Sequence, residues 1–322
     1  MPVISSQYKP SGIFKNADVS TIFAGKLRKV EHSPYKRERI QISDGDFIDL
    51  DWSSSPSGNS KNLIVILHGL AGSTDRPYMR GMARAFNKNN WDAVGMNFRG
   101  CSEELNHHYR SYHAGASEDL AEVVSHLLTK QDYDKIALVG FSLGGNMLMK
   151  YLGENRSRPG NLIGAIGVSV PCDLAGSLGA INRNRNFLYS KRFEINLKQH
   201  LLARAVKFPT KLDKKLVASC KSLRDIDELY TSKAHGFKNA DDYYQKNSAI
   251  NFLEDIQIPV LMINALNDSF LSPGCYPTKI ATASKYLHLE TPRHGGHVGF
   301  VTTSDLYYHE KRAVEFIQSL TN

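Results

Sequence analysis

Lys135-Ile136-Ala137-Leu138-Val139-Gly140-Phe141-Ser142-Leu143-Gly144-Gly145-Asn146-Met147-Leu148-Met149-Lys150-Tyr151-Leu152 is the stretch on which the fold turns. Residues 135–139 predict a buried strand and residues 143–153 a helix, so Ser142 stands where one runs directly into the other. A serine at such a corner is held in a strained backbone conformation. Side chains two residues to either side would collide there, which is the physical reason for Gly140 and Gly144. The five-residue pattern is common by itself. The strand before it and the helix after it make it an arrangement that presents a nucleophilic hydroxyl.

Working outward, strands alternate with helices. Leu63–Leu67 is a continuous apolar run that suits a strand buried on both faces. The pattern then predicts a helix over 76–87, a strand over 92–97 and an amphipathic helix over 117–129, and beyond the corner a strand over 162–170. Upstream, 39–43 and 47–52 alternate apolar and polar residues around Asp44-Gly45-Asp46, a hairpin signal, and the first forty residues read as an extended arm wrapping the core. The rhythm stops at Pro171. Residues 172–250 are basic and helical in pattern (198–206, 223–229, 241–246), and alternation resumes with a strand at 259–264, a helix at 277–284, a strand at 286–289 and a final helix at 306–320. The expected architecture is therefore an α/β core (1–171 and 251–322) around a parallel sheet, interrupted by a helical basic cap (172–250).

The bulk composition sets bounds. The 322 residues are 41% hydrophobic and 22% charged, ordinary values for a globular chain. No apolar run approaches the length of a membrane span, and the first residues lack a charged region followed by an apolar block, so neither a span nor a signal peptide is expected. The last residues carry no lipidation box. Cys101, Cys172, Cys220 and Cys275 have no metal or disulfide spacing and read as free thiols of a cytoplasmic protein. Net charge is +8, and residues 172–250 hold 15 Lys and Arg against 8 Asp and Glu, so they carry +7 of it. No zinc-finger, RNA-binding or recognition-helix pattern accompanies the charge, and no nucleic-acid partner is expected. A basic cap over a site, or one resting on an anionic membrane surface, accounts for it more simply.

A serine hydroxyl needs a base to take its proton and an acid to orient that base. In open parallel sheets such sites form at the carboxyl ends of strands. Asp268, just past the strand ending near Asn264, is the candidate acid, with Asp173, just past Val170, as its rival. His297, in Arg293-His294-Gly295-Gly296-His297-Val298-Gly299-Phe300, is the candidate base, with His294 as competitor. The oxyanion of a tetrahedral intermediate needs two donors. The backbone N–H of Leu143, at the start of the helix, is one. The N–H of Leu70, in His68-Gly69-Leu70-Ala71-Gly72-Ser73, is the other, with His68 bracing that loop. His107-His108 lacks a third ligand, and no metal or organic cofactor is expected.

Taken together, several segments resemble the α/β-hydrolase superfamily and, within it, the YheT-like branch related to medium-chain ester synthases and phospholipase-type hydrolases. They are residues 44–52, the His68–Ser73 loop, Tyr78-Met79-Arg80-Gly81, Asn97-Phe98-Arg99-Gly100-Cys101-Ser102, Tyr112-His113-Ala114-Gly115, Gly140–Asn146 and Gly295–Phe300. The resemblance implies a mostly parallel sheet of about eight strands with helices on both faces. It also implies esterase or acyltransferase activity on carboxylic esters, with a small ester or lipid as substrate. One departure stands near the N-terminus, where the family often has His-X-Gln-Thr and this chain has Asp18-Val19-Ser20-Thr21. The expected activity is a serine hydrolase acting through Ser142, His297 and Asp268. The alternatives are an acyltransferase that passes the same acyl group to an alcohol, and a ligand-binding protein on the same fold.

Overall fold

The computed structural model describes residues 3–31, 34–130 and 133–321. Its strands are β1 (Val3–Ile4), β2 (Lys36–Gln41), β3 (Phe47–Ser53), β4 (Asn62–Leu67), β5 (Asp92–Asn97), β6 (Lys135–Phe141), β7 (Leu162–Val168), β8 (Val260–Ile263) and β9 (Leu287–Glu290). They form one nine-stranded sheet in the order β1-β9-β8-β7-β6-β4-β5-β3-β2. β3 alone runs against its neighbours, pairing antiparallel with both β2 and β5. The ninth strand comes from the N-terminal arm, where Val3 and Ile4 pair in parallel with Leu289 and Glu290.

Continuous apolar runs form the central strands because both faces of the sheet are covered. Along β4, Leu63, Val65 and Leu67 enter one core with the helices Ser117–Lys130 and Leu143–Gly153. Ile64 and Ile66 point the other way, into a second core with Pro77–Asn87 and Tyr308–Ser319. A period of two with both faces buried leaves no place for polar alternation. β4 has β5 on one side and β6 on the other, so the strand order reverses at its carboxyl end. A crevice opens at that reversal, and the loop after β4 and the corner after β6 both lie in it.

Two segments differ from expectation. The arm is not extended throughout. Gly12–Lys15 is a 3-10 turn, Ala17–Ile22 an α-helix and Phe23–Leu27 a π-turn. Asn16 makes this helix possible, its side-chain oxygen accepting the N–H groups of Asp18 and Val19. Between β7 and β8 the chain is helical, but more extensively than its periodicity predicts. Leu174–Ile181 is a helix despite Gly176 and Gly179, held at its start by the Asp173 side chain, and Phe187–Lys207 runs for 21 residues. Leu201, Ala205, Leu212, Val217, Ile226 and Tyr230 give this layer a small core of its own. Part of its basic charge is spent on attachment. Arg204 Nη1 donates to the carbonyls of His108, Tyr109 and Arg110, and Lys207 Nζ to those of Leu105 and Asn106.

Candidate active site

Ser142 has φ 51 and ψ −120, a region that a side-chain-bearing residue enters only when its surroundings force it. The forcing is visible. A Cβ on Gly140 would lie 2.5 Å from the Gly144 carbonyl oxygen, and one on Gly144 would lie 2.4 Å from that of His68. The Ser142 N–H donates to the Val168 carbonyl at 2.9 Å, tying the corner to the neighbouring strand. The hydroxyl thus stands at the carboxyl end of the sheet.

Of the two candidate acids and two candidate bases, the fold brings one of each to this hydroxyl. His297 Nε2 lies 2.9 Å from Ser142 Oγ, and its Nδ1 lies 2.8 Å from Asp268 Oδ2. Asp268 is 4% exposed, and its other oxygen accepts the Phe270 N–H. With Nδ1–H donating to the carboxylate, Nε2 is left as an acceptor facing the serine. Asp173 is committed elsewhere: one oxygen accepts the Gly176 N–H as a helix cap and the other the Ser272 hydroxyl. His294 is bonded to the Lys15 carbonyl on the surface. His107 packs edge-on against Phe47 and His108 Nε2 lies 2.8 Å from the Asp44 carbonyl oxygen, and the described residues contain no cluster of three or more metal-ligating side chains.

The two N–H groups expected to face an oxyanion have no acceptor among the described residues. Leu143 is the first residue of its helix, so its N–H has no intrahelical acceptor. In the loop after β4, the Gly69 N–H donates to the Tyr78 hydroxyl (3.0 Å) and the Ala71 N–H to the Tyr112 hydroxyl (2.9 Å). The Leu70 N–H between them has no acceptor among the described residues. The loop abuts the serine, since a Cβ on Gly69 would sit 3.2 Å from that of Ser142. His68 braces it from beneath, its Nδ1 2.8 Å from the Gly69 carbonyl and its Nε2 accepting the Phe98 N–H. Complete burial pushes its pKa down to about 4, so it is neutral and its donor and acceptor roles are fixed.

Several residues that hold this geometry were not marked by sequence reasoning. Thr21 accepts the His297 N–H, Asn267 the Gly296 N–H and Ser169 the Val298 N–H. The Phe270 ring lies 4.4 Å from the His297 ring, centroid to centroid. Thr21 belongs to the stretch that departs from the family pattern, and it is the one residue of that pattern retained. Tyr78 and Tyr112 lie in segments that carry the resemblance. Residues 112–115 read as a brace for loops around the pocket, and the Tyr112 hydroxyl does accept the Ala71 N–H; for Tyr78 the role needed the third dimension.

Two arms of a cleft meet at this point, with Leu70, Ser142, Phe193, Phe270 and His297 lining both. One, of about 120 Å³, is walled by apolar side chains including Leu174, Leu178, Ile181, Leu197 and Leu223. The other, of about 160 Å³, is lined by Lys26, Arg76 and Arg192 together with Gly69–Gly72.

The nine-stranded sheet, the strained serine corner and the Ser142–His297–Asp268 chain define an α/β-hydrolase, and the family description for the α/β-hydrolase fold matches residues 62–303. The chain belongs to that family, in the YheT-like branch. It is 34% identical to YheT of Escherichia coli (strain K12), a candidate esterase by name, over 92% of this chain and 88% of that protein. Phospholipase ABHD3 of Mus musculus is 26% identical over 99% of this chain and 80% of its own length. Among solved structures, the Pyrococcus furiosus esterase Pf2001 superposes with a TM-score of 0.60 at 17% identity, covering 93% of this chain and 98% of that one, a likeness of fold. No helix among the described residues is long and apolar enough to cross a membrane.

Proposed function

We propose that the chain is a serine hydrolase of carboxylic esters. The observation that carries this reading is the unbroken hydrogen-bonded chain from Asp268 through His297 to Ser142, beside two backbone N–H groups without acceptors among the described residues. His297 Nε2 takes the hydroxyl proton as Ser142 Oγ bonds to the ester carbonyl carbon. The Leu143 and Leu70 N–H groups hold the resulting oxyanion, and Asp268 stabilises the imidazolium. Collapse breaks the bond to the alcohol, which leaves with the proton from His297. Water then repeats the sequence on the acyl-enzyme and releases a carboxylic acid. Protein groups supply the first nucleophile, and the base and electrostatics of both steps.

The relatives named esterase, phospholipase and, in ABHD2 of Bos taurus, monoacylglycerol lipase support an ester or lipid substrate. The apolar arm fits an acyl chain. Within the same reading, residues 172–250 act as a cap over the cleft, and the four free, buried cysteines fit a reducing cytoplasm. Labelling by a fluorophosphonate probe tests the proposal. Wild type is expected to be modified stoichiometrically and Ser142→Ala not at all; folded wild-type protein that stays unlabelled would sink it.

A further inference from the structure

The two arms of the cleft differ in what they lack. The apolar arm has no cation in its lining. The other has three, Lys26, Arg76 and Arg192, and no carboxylate. Nearby cations are neutralised: Lys191 and Lys198 share Glu194, and Arg185 pairs with Asp18. Lys26 and Arg192 have no such partner among the described residues. Arg76 uses one guanidinium nitrogen to donate to the Ala71 carbonyl at 2.8 Å, and it too lacks a carboxylate. The three also feel one another. Arg192, then burial, then Arg76 lower the pKa of Lys26, while burial and then Arg76 lower that of Arg192. Like charges gathered around a concave site without counter-ions disfavour the empty site and are relieved by an anion.

They come from three separate parts of the chain: the π-turn Phe23–Leu27, the loop before the helix Pro77–Asn87, and the helix Phe187–Lys207. Their convergence is therefore a product of the fold. Because the arms meet at Ser142, an acyl chain in the apolar arm puts the alcohol half of the ester among these cations.

We propose that the substrate is an anionic ester, its alcohol half bearing a phosphate or carboxylate held by Lys26, Arg76 and Arg192. This rests on the serine-hydrolase reading and adds to it the chemistry of the leaving group. A guanidinium offers paired donors matched to phosphate or carboxylate oxygens, and an ammonium adds a point charge.

The test uses butyryl esters that dissolve without forming an interface: monobutyrylglycerol, its glycerol 3-phosphate and glycerate counterparts, and butyrylcholine. The full chain and its Lys26→Gln/Arg192→Gln double variant are compared, with Arg76 left intact because it holds the Ala71 carbonyl. In wild type, kcat/KM for an anionic ester is expected to exceed that for monobutyrylglycerol by about tenfold or more at low salt, with butyrylcholine slowest. The double variant should bring the anionic-to-neutral ratio close to one, and inorganic phosphate should inhibit wild type more strongly than the variant. The phosphate and glycerate arms tell which anion is preferred. A ratio near one in wild type, or the same ratio in both proteins, with Ser142-dependent turnover intact, overturns the anion site and leaves the hydrolase reading standing. So does acceleration seen only on anionic vesicles, which would make the cations a surface-attraction device. Absence of both turnover and Ser142-dependent labelling overturns the two together.

Discussion

On the sheet side of the cleft, the backbone around Ser142 is fixed by named partners: Val168 holds its N–H, Tyr78 and Tyr112 hold the loop at Leu70, and Thr21, Asn267 and Ser169 hold the loop at His297. On the helical side, Phe187 and Leu188 lie 64% and 80% exposed, and Ile195 is also open. The helices there share a small core of their own and are tied to the rest by polar contacts that include Arg204, Lys207, Tyr230 and Asn186. The difference separates two tasks. Bond-making atoms need positions reproducible to a fraction of an ångström, so they sit where close packing and strand pairing leave no alternative. Under the proposed reading, substrate selection needs only chemical character; the less tightly built layer supplies most of the apolar wall and Arg192, while Lys26 and Arg76 come from the N-terminal arm and the loop before Pro77–Asn87.

The comparison breaks most sharply on Asp268. If the sheet side alone performs the chemistry, Asp268→Asn should lower kcat on a soluble butyryl ester by about 10⁴-fold, through loss of the imidazole tautomer, with little change in KM. A fall of less than tenfold would place the orienting acid elsewhere. Next in size is Leu201→Ala, which empties part of the helical layer's core and should cost about 2–4 kcal/mol there. Hydrogen exchange should show protection lost across 187–234 while 135–153 keeps its own. Joint loss would mean that the two sides unfold as one unit.

The smallest effect sharpens the contrast through pH. Asp227, in the apolar arm, is pushed up to about 6 by burial, against hydrogen bonds from the Tyr244 and Thr231 hydroxyls. A carboxyl whose folded pKa is raised contributes stability present at low pH and lost as pH climbs through that value. Asp227→Asn should therefore gain on wild type, by on the order of 1 kcal/mol, as pH goes from 4 to 7. His68, below the opposite wall, is depressed, so its contribution is present above its unfolded pKa and lost as pH falls toward 4. His68→Asn should accordingly lose ground to wild type over the same rise in pH. Urea midpoints across the range check both slopes, and slopes of the same sign would contradict the assignment.

How much of this was legible beforehand depended on whether a signal is local. The β4 and β6 runs, the glycines around Ser142 and the order serine, acid, histidine are properties of short segments, because strand burial and corner strain act within a few residues. The helix Leu174–Ile181 was missed because its two glycines weaken helix propensity, and what holds it is a cap from Asp173, itself read as a possible acid. The helix Ala17–Ile22 was missed because it is short, and its capping signal at Asn16 went unread.

The chain's own sequence determined the α/β alternation, the strained corner and a short set of candidate acids, bases and oxyanion donors. Only the tertiary structure decided among them. It placed Asp268 and not Asp173 against His297, gave Thr21 the His297 N–H, and gathered Lys26, Arg76 and Arg192 from three segments into one arm. The physical reason is reach. A hydrogen bond or a charge acts over a few ångströms of space, and no local pattern in a chain of 322 residues records which distant segments the fold will bring that close.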